Sequence, residues 1–181
     1  MDVSLFYKLL HYFNITILFI PENKGIKYYS INKNRYIEYD SSSNIVNYKN
    51  VHKNPEMCLF VCRILHEIGH IIVAPKSRKN KLNFGIHLYK INGISIYEIN
   101  HKKYYDMEEA KAILVENRLL ELIGVNNIFR SKNIFEDPQL LLLAPNVDEI
   151  KKWWETIGLS LTNNIVEKCR MKTLKCRLKA L

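Results

Sequence analysis

Residues 54–75 read NPEMCLFVCRILHEIGHIIVAP. Asn54 is a good N-cap, Pro55 suits a first helical turn, and Glu56 is an early carboxylate that complements the helix dipole. The stretch therefore predicts a helix that runs to about Ala74 and stops at Pro75. Leu59, Ile64, Leu65, Ile68, Ile71 and Ile72 supply apolar residues to seat it, and Gly69 leaves room for a second element to approach closely. Inside the helix stands His66-Glu67-Ile68-Gly69-His70, an HExxH sequence. Residues four apart share a helix face, so both imidazoles can point at one ion, while Glu67 is rotated by about 100° and reaches a water on that ion. Zinc suits this set: imidazole is a good ligand for it, and an open position can hold a water made acidic. Glu67 is then the general base and not a ligand.

Two histidines leave zinc short of a protein ligand. No HxxGxxH pattern follows, which argues against a metzincin arrangement. The better candidates are carboxylates of residues 107–124, MEEAKAILVENRLLELIG. Glu109 has the small Ala112 one turn on and Leu119-Leu120 beyond, as a helix packed against the first would need. Glu108 is the near alternative, Glu116 and Glu98 rank lower, and the competing account makes Glu108 and Glu109 a solvated acidic turn. Cys58 and Cys62 precede His66 by eight and four residues; they read as buried thiols of a core before they read as ligands. His87, His101, Tyr104 and Tyr105 are candidate proton donors or oxyanion partners, and Asp106 a candidate to orient a ligand histidine.

On either side of this helix the pattern changes. Val3, Phe6, Leu9, Leu10 and Phe13 recur at spacings of three and four, predicting an opening amphipathic helix capped by Asp2. From Ile15 to Tyr48 the period becomes two, in runs ITILFI, IKYYSI, RYIEY and NIVNY broken by PENKG, NKN and DSSSN. These predict an antiparallel meander of three or four strands. Asn92-Gly93 between IHLYKI and ISIYEI is a strong hairpin signal. A second long helix is expected from Tyr105 or Asp106 to Leu122, closed by Gly124. Beyond it come an apolar run (QLLLLAP), a helix around Val147 to Ile157 anchored by Trp153-Trp154, and a basic amphipathic helix from Asn163 to the end.

The chain has 181 residues, with 27 Lys+Arg against 18 Asp+Glu for a net charge of +9, and 48% of its residues are hydrophobic. That is enough for one domain with its own core and excludes a disordered tail or a small disulfide scaffold. Lys, Asn and Ile are abundant throughout, so the positive charge reads as bias and solubility before nucleic-acid binding. Lys76, Arg78, Lys79 and Lys81 follow the HExxH helix directly. They form either an electropositive rim for an acidic peptide, protein or RNA, or a solvated loop. Four cysteines without a CxxC pair, and no secretory signal at the N-terminus, lead to the expectation of reduced thiols and a cytoplasmic protein. The apolar N-terminal stretch is interrupted by Lys8, His11 and Asn14 and is too short to span a bilayer.

HEIGH on a helix preceded by strands and followed by an ExxA helix resembles the gluzincin-type zinc metallopeptidases, in particular the small antirepressor-cleaving and radiation-response regulator peptidases. The resemblance covers residues 35 to 122 and implies His66, His70 and Glu109 as ligands, with Glu67 as base. The run LHEIGHIIVAPKSRKNKLNFG, residues 65–85, is similar to the active-site segment of elongation factor P hydroxylase, which would imply iron in place of zinc. The expected fold is thus a single α+β zincin-like domain, with a core over about 15–124 and a C-terminal helical portion over about 138–181. In it a small, mostly antiparallel sheet packs on the HExxH helix, and a second helix presents the third ligand. The expected function is a zinc-dependent metallopeptidase acting on a protein or peptide laid along a sheet edge. A metal-dependent protein hydroxylase and a non-catalytic metal-binding regulatory module are the alternatives.

Overall fold

The computed structural model describes residues 1–20, 26–31, 34–40, 55–76, 88–91, 94–97, 99–125, 135 and 147–178, and describes side chains over 1–17, 58–76, 107–125, 135 and 147–171. Helix α1 spans Val3–Tyr12, and the Asp2 carboxylate accepts the Leu5 amide at 2.9 Å, the predicted cap. Strands β1 (Ile15–Ile20), β2 (Ile26–Ile31) and β3 (Asn34–Asp40) follow, then α2 (Pro55–Val73), β4 (Leu88–Ile91), β5 (Ile94–Tyr97) and α3 (Ile99–Ile123). Helix α4 (Val147–Trp153) runs through a π-helical turn, Trp154–Gly158, into α5 (Leu159–Leu178).

The expected α+β zincin-like class is overturned. Among the residues described to the side chain, 84% are helical, with one short strand and no sheet. The HExxH helix α2 packs chiefly on α3, and its apolar residues join those of α1, α3 and α5 in one helical core. Phe60, Ile64, Leu65, Ile68 and Ile71 meet Leu5, Phe6 and Leu9 of α1, Val115, Leu119, Leu120 and Ile123 of α3, and Val166 and Cys169 of α5. A layer of sheet beneath the helix is not what buries it. Leu59, expected to help seat α2, is 36% exposed on its outer side.

The backbone of the strands departs from the meander as well. β3 is central, in the order β1-β3-β2: it pairs antiparallel with β2 and parallel with β1. β2 and β3 pair on either side of the NKN signal, with Ile31 opposite Asn34, whereas β1 and β2 are not neighbours. Alternating residues specify a strand but not its neighbour, and five intervening residues reach roughly 17 Å, enough to step over one strand at about 4.8 Å spacing. β4 and β5 form the hairpin expected around positions 92 and 93, with Ile91 opposite Ile94.

Helix α3 begins six residues before the expected Tyr105, since residues 99–104 contain neither Gly nor Pro to stop it. It ends where expected: Gly124 has φ +74°, its amide donates to the Glu121 carbonyl, and the Val125 amide donates to the Leu120 carbonyl. This is the paired bonding of a glycine-terminated helix. The two C-terminal helices expected from the sequence are continuous through the π turn. A Cβ on Gly158 would lie 2.6 Å from the Trp154 ring and 2.7 Å from that of Trp153, so only glycine fits beneath the two indoles. Among the described residues no helix is long and apolar enough to cross a membrane.

Candidate metal centre

The site is built where α2 and α3 come closest. A Cβ at position 69 would lie 2.6 Å from the Ala112 carbonyl oxygen, so the missing side chain of Gly69 is what lets the two backbones touch. Both small residues singled out in the sequence thus serve one contact. Held at that distance, α2 presents His66 and His70 from its fourth and fifth turns, and α3 presents Glu109 three residues before Ala112.

Three side chains converge. His66 Nε2 lies 3.2 Å from Glu109 Oε1, His70 Nε2 lies 3.0 Å from Glu109 Oε2, and the two Nε2 atoms are 3.1 Å apart. Among the described residues this is the group of His, Cys, Asp and Glu whose ligand atoms all fall within 4.8 Å of one another. All three side chains are partly buried. A tetrahedral zinc with bonds of about 2.0–2.1 Å has ligand–ligand edges of about 3.3–3.4 Å, so the observed separations need only a few tenths of an ångström of expansion. Two imidazole nitrogens and a carboxylate oxygen are also the right donor types, and they leave a fourth position open. The residues therefore fit a metal, and the donor set alone does not select which.

No family model, curated protein or solved structure matches the chain.

The chemistry of the cluster is therefore read from its own atoms. Burial disfavours charge on His66, but hydrogen bonds and attraction from Glu109 and Glu116 outweigh it and hold the metal-free imidazole up at about 10. Burial acts against the Glu109 carboxylate too, yet its bonds to His66 and His70 pull it well below the usual carboxylate range. Without a metal, protons supply the positive charge that the two carboxylates require. Glu67 differs from both: burial pushes its carboxyl up, against the opposing pull of His70 and then His66. A raised proton affinity is what general-base work asks of a carboxylate.

Of the remaining sequence candidates, Glu108 is outside the converging group. Glu116 is not a ligand in this arrangement: it is 1% exposed and sits behind His66, its Oε2 3.0 Å from Nδ1. Cys58, Cys62 and Cys169 are buried thiols of the core. Burial, and then the negative charge of Glu116, push the Cys62 thiol up to about 12, so it remains a thiol and not a thiolate ligand. The side chains of His101, Tyr104, Tyr105 and Asp106, together with Glu98, His87, Arg78, Lys79 and Lys81, lie outside the described residues.

The position of Glu116 behind His66 was missed by the sequence reading. A signal existed: Glu116 interrupts the apolar run around Val115, Leu119 and Leu120 at four residues from Ala112, on the buried stripe of α3, where a lone carboxylate needs a partner.

Proposed function

We propose that this chain is a zinc-dependent peptidase of the HExxH kind. The observation that carries the reading is the convergence of His66 Nε2, His70 Nε2 and Glu109 with 3.0–3.2 Å between their donor atoms, the two histidines on a helix that also carries Glu67. His66, His70 and Glu109 would hold the ion. When bound, zinc supplies Lewis acidity toward a carbonyl oxygen and makes a water acidic near neutral pH.

The protein's own groups do the rest. Glu67 takes a proton from the attacking water and passes it to the leaving amine nitrogen, a role matched to a carboxyl whose proton affinity is raised by burial. Two helices with apolar undersides hold the three ligand side chains against one another, so little reorganisation is needed as charge develops. Protein or peptide is the substrate class, and Lys76 at the exposed end of α2 would favour acidic ones.

A second reading shares the site. Two histidines and one carboxylate also suit Fe(II), and a protein hydroxylase would use the same three residues. Metal analysis of the purified chain, followed by turnover of a broad peptide library, separates the two. The peptidase reading expects about one zinc per chain, with cleavage that falls by roughly 10²–10⁴-fold in Glu67→Gln while the metal stays bound. Iron with an oxygen-dependent mass gain on a partner protein would replace it with the hydroxylase. Bound metal without turnover of any substrate would leave a regulatory metal-binding module.

A further inference from the structure

His66 is held from both ends by one helix. Its Nε2 faces Glu109 at 3.2 Å and its Nδ1 faces Glu116 at 3.0 Å, and these carboxylates stand seven residues apart on α3. Seven residues are nearly two full turns, so both lie on one stripe of the helix, separated by about 10 Å along its axis. An imidazole laid between them bridges that gap along α3. The two carboxylates differ in surroundings: Glu109 is one-third exposed and looks into the site, whereas the Glu116 side chain is 2% exposed.

An imidazole offers one lone pair when neutral, and the partner of the other nitrogen decides which nitrogen carries it. A buried carboxylate can only accept, so at 3.0 Å it requires the proton on Nδ1 and leaves the lone pair on Nε2. That is the nitrogen facing Glu109 and His70. We propose that Glu116 is a positioning residue for the metal centre: it selects the Nε2-coordinating tautomer of His66, locks the plane of the ring, and increases the ring's basicity toward the ion. The inference rests on the metal-centre reading but not on which reaction the ion serves. It also explains why α3 tolerates an acid in its buried stripe, where an apolar residue would pack without desolvation cost.

The test separates positioning from packing. Glu116→Met keeps volume and removes the acceptor; Glu116→Gln keeps an acceptor oxygen and removes the charge. Zinc affinity of the full chain, measured by chelator competition, should fall about 10–100-fold in Glu116→Met and by less in Glu116→Gln, with one zinc still bound at saturation. The melting temperature of metal-free Glu116→Met should fall, since removing one partner of a buried pair leaves Nδ1 of His66 without its acceptor, and Glu116→Gln, which keeps an acceptor oxygen, should melt closer to wild type. In zinc-loaded protein labelled with ¹⁵N-histidine, a hydrogen-bonded Nδ1–H signal of His66 should be present in wild type and lost in Glu116→Met.

Affinity in Glu116→Met within twofold of wild type would overturn the proposal, as would loss of the saturating zinc in Glu116→Gln, which would make Glu116 a ligand. Wild-type protein that binds zinc yet cleaves nothing sinks the peptidase reading and leaves the Glu116 result intact. Wild-type protein that takes up no metal overturns both.

Discussion

Replacing Gly69 by alanine sets two helical preferences against each other. In an unobstructed helix interior the change would stabilise by about 0.8–1.0 kcal/mol, because alanine loses less backbone entropy. Here the new Cβ would stand 2.6 Å from the Ala112 carbonyl oxygen, where ordinary contact begins at 3.4 Å, so the helices must part by 3.4 − 2.6 = 0.8 Å. The obstructing atom is backbone, and no rotamer change relieves it. Overpacking of this kind costs about 1–3 kcal/mol, which offsets or outweighs the propensity gain and leaves a net loss of about 0–2 kcal/mol. For a chain of this length the melting temperature should drop by up to about 8 °C. The site should suffer more than the fold. His70 is the next residue to Gly69, Glu109 and Glu116 flank Ala112, and a metal site tolerates only about 0.2 Å of error in its distances. Zinc affinity should therefore fall by at least about tenfold, read by chelator competition beside a thermal melt. A variant that melts higher than wild type and binds zinc equally would refute the close helix contact as the basis of the site.

Three further outcomes are expected. Asp2→Ala removes the acceptor for the Leu5 amide and should cost about 1 kcal/mol, seen as a lower urea midpoint with zinc affinity unchanged. Leu65→Ala empties a fully buried position in the helical core and should cost about 2–5 kcal/mol; a loss under 1 kcal/mol would mean that α2 is not packed as described. The metal-free protein should lose stability in alkali. His66 is raised from 6.5 to about 10, so its contribution is complete below pH 6.5 and is lost as the pH climbs through 10; Glu109, depressed from 4.5, contributes above that value and is lost as the pH falls below it. Melting curves of apo protein should thus peak between about pH 4.5 and 6.5 and decline toward pH 10. Zinc-loaded protein should not show the alkaline decline, because the ion replaces the proton; a flat apo profile would refute the coupling.

How far the sequence reached follows from the range of each interaction. The HExxH spacing, the Asp2 cap, the Gly124 stop and the 92–93 hairpin depend on neighbours within a turn or a loop, and each is found where the local pattern put it. Fold class was misjudged for the complementary reason. Alternating residues in 15–40 do specify strands, but nothing in the alternation says that β3 lies between β1 and β2, or that the core of α2 is made by other helices.

The same division runs through the site. By itself the sequence determined that His66 and His70 share a helix face with Glu67 beside them, since a helix of 3.6 residues per turn leaves no other arrangement. It narrowed the third ligand to the carboxylates of one segment. Only the tertiary structure shows that Glu109, which the sequence put ahead of Glu108, converges with His66 and His70, and that Glu116 is the partner of Nδ1. That convergence depends on the register and rotation of α3 against α2. Both are set by the close contact of Gly69 with Ala112, two residues 43 positions apart whose meeting no local pattern encodes.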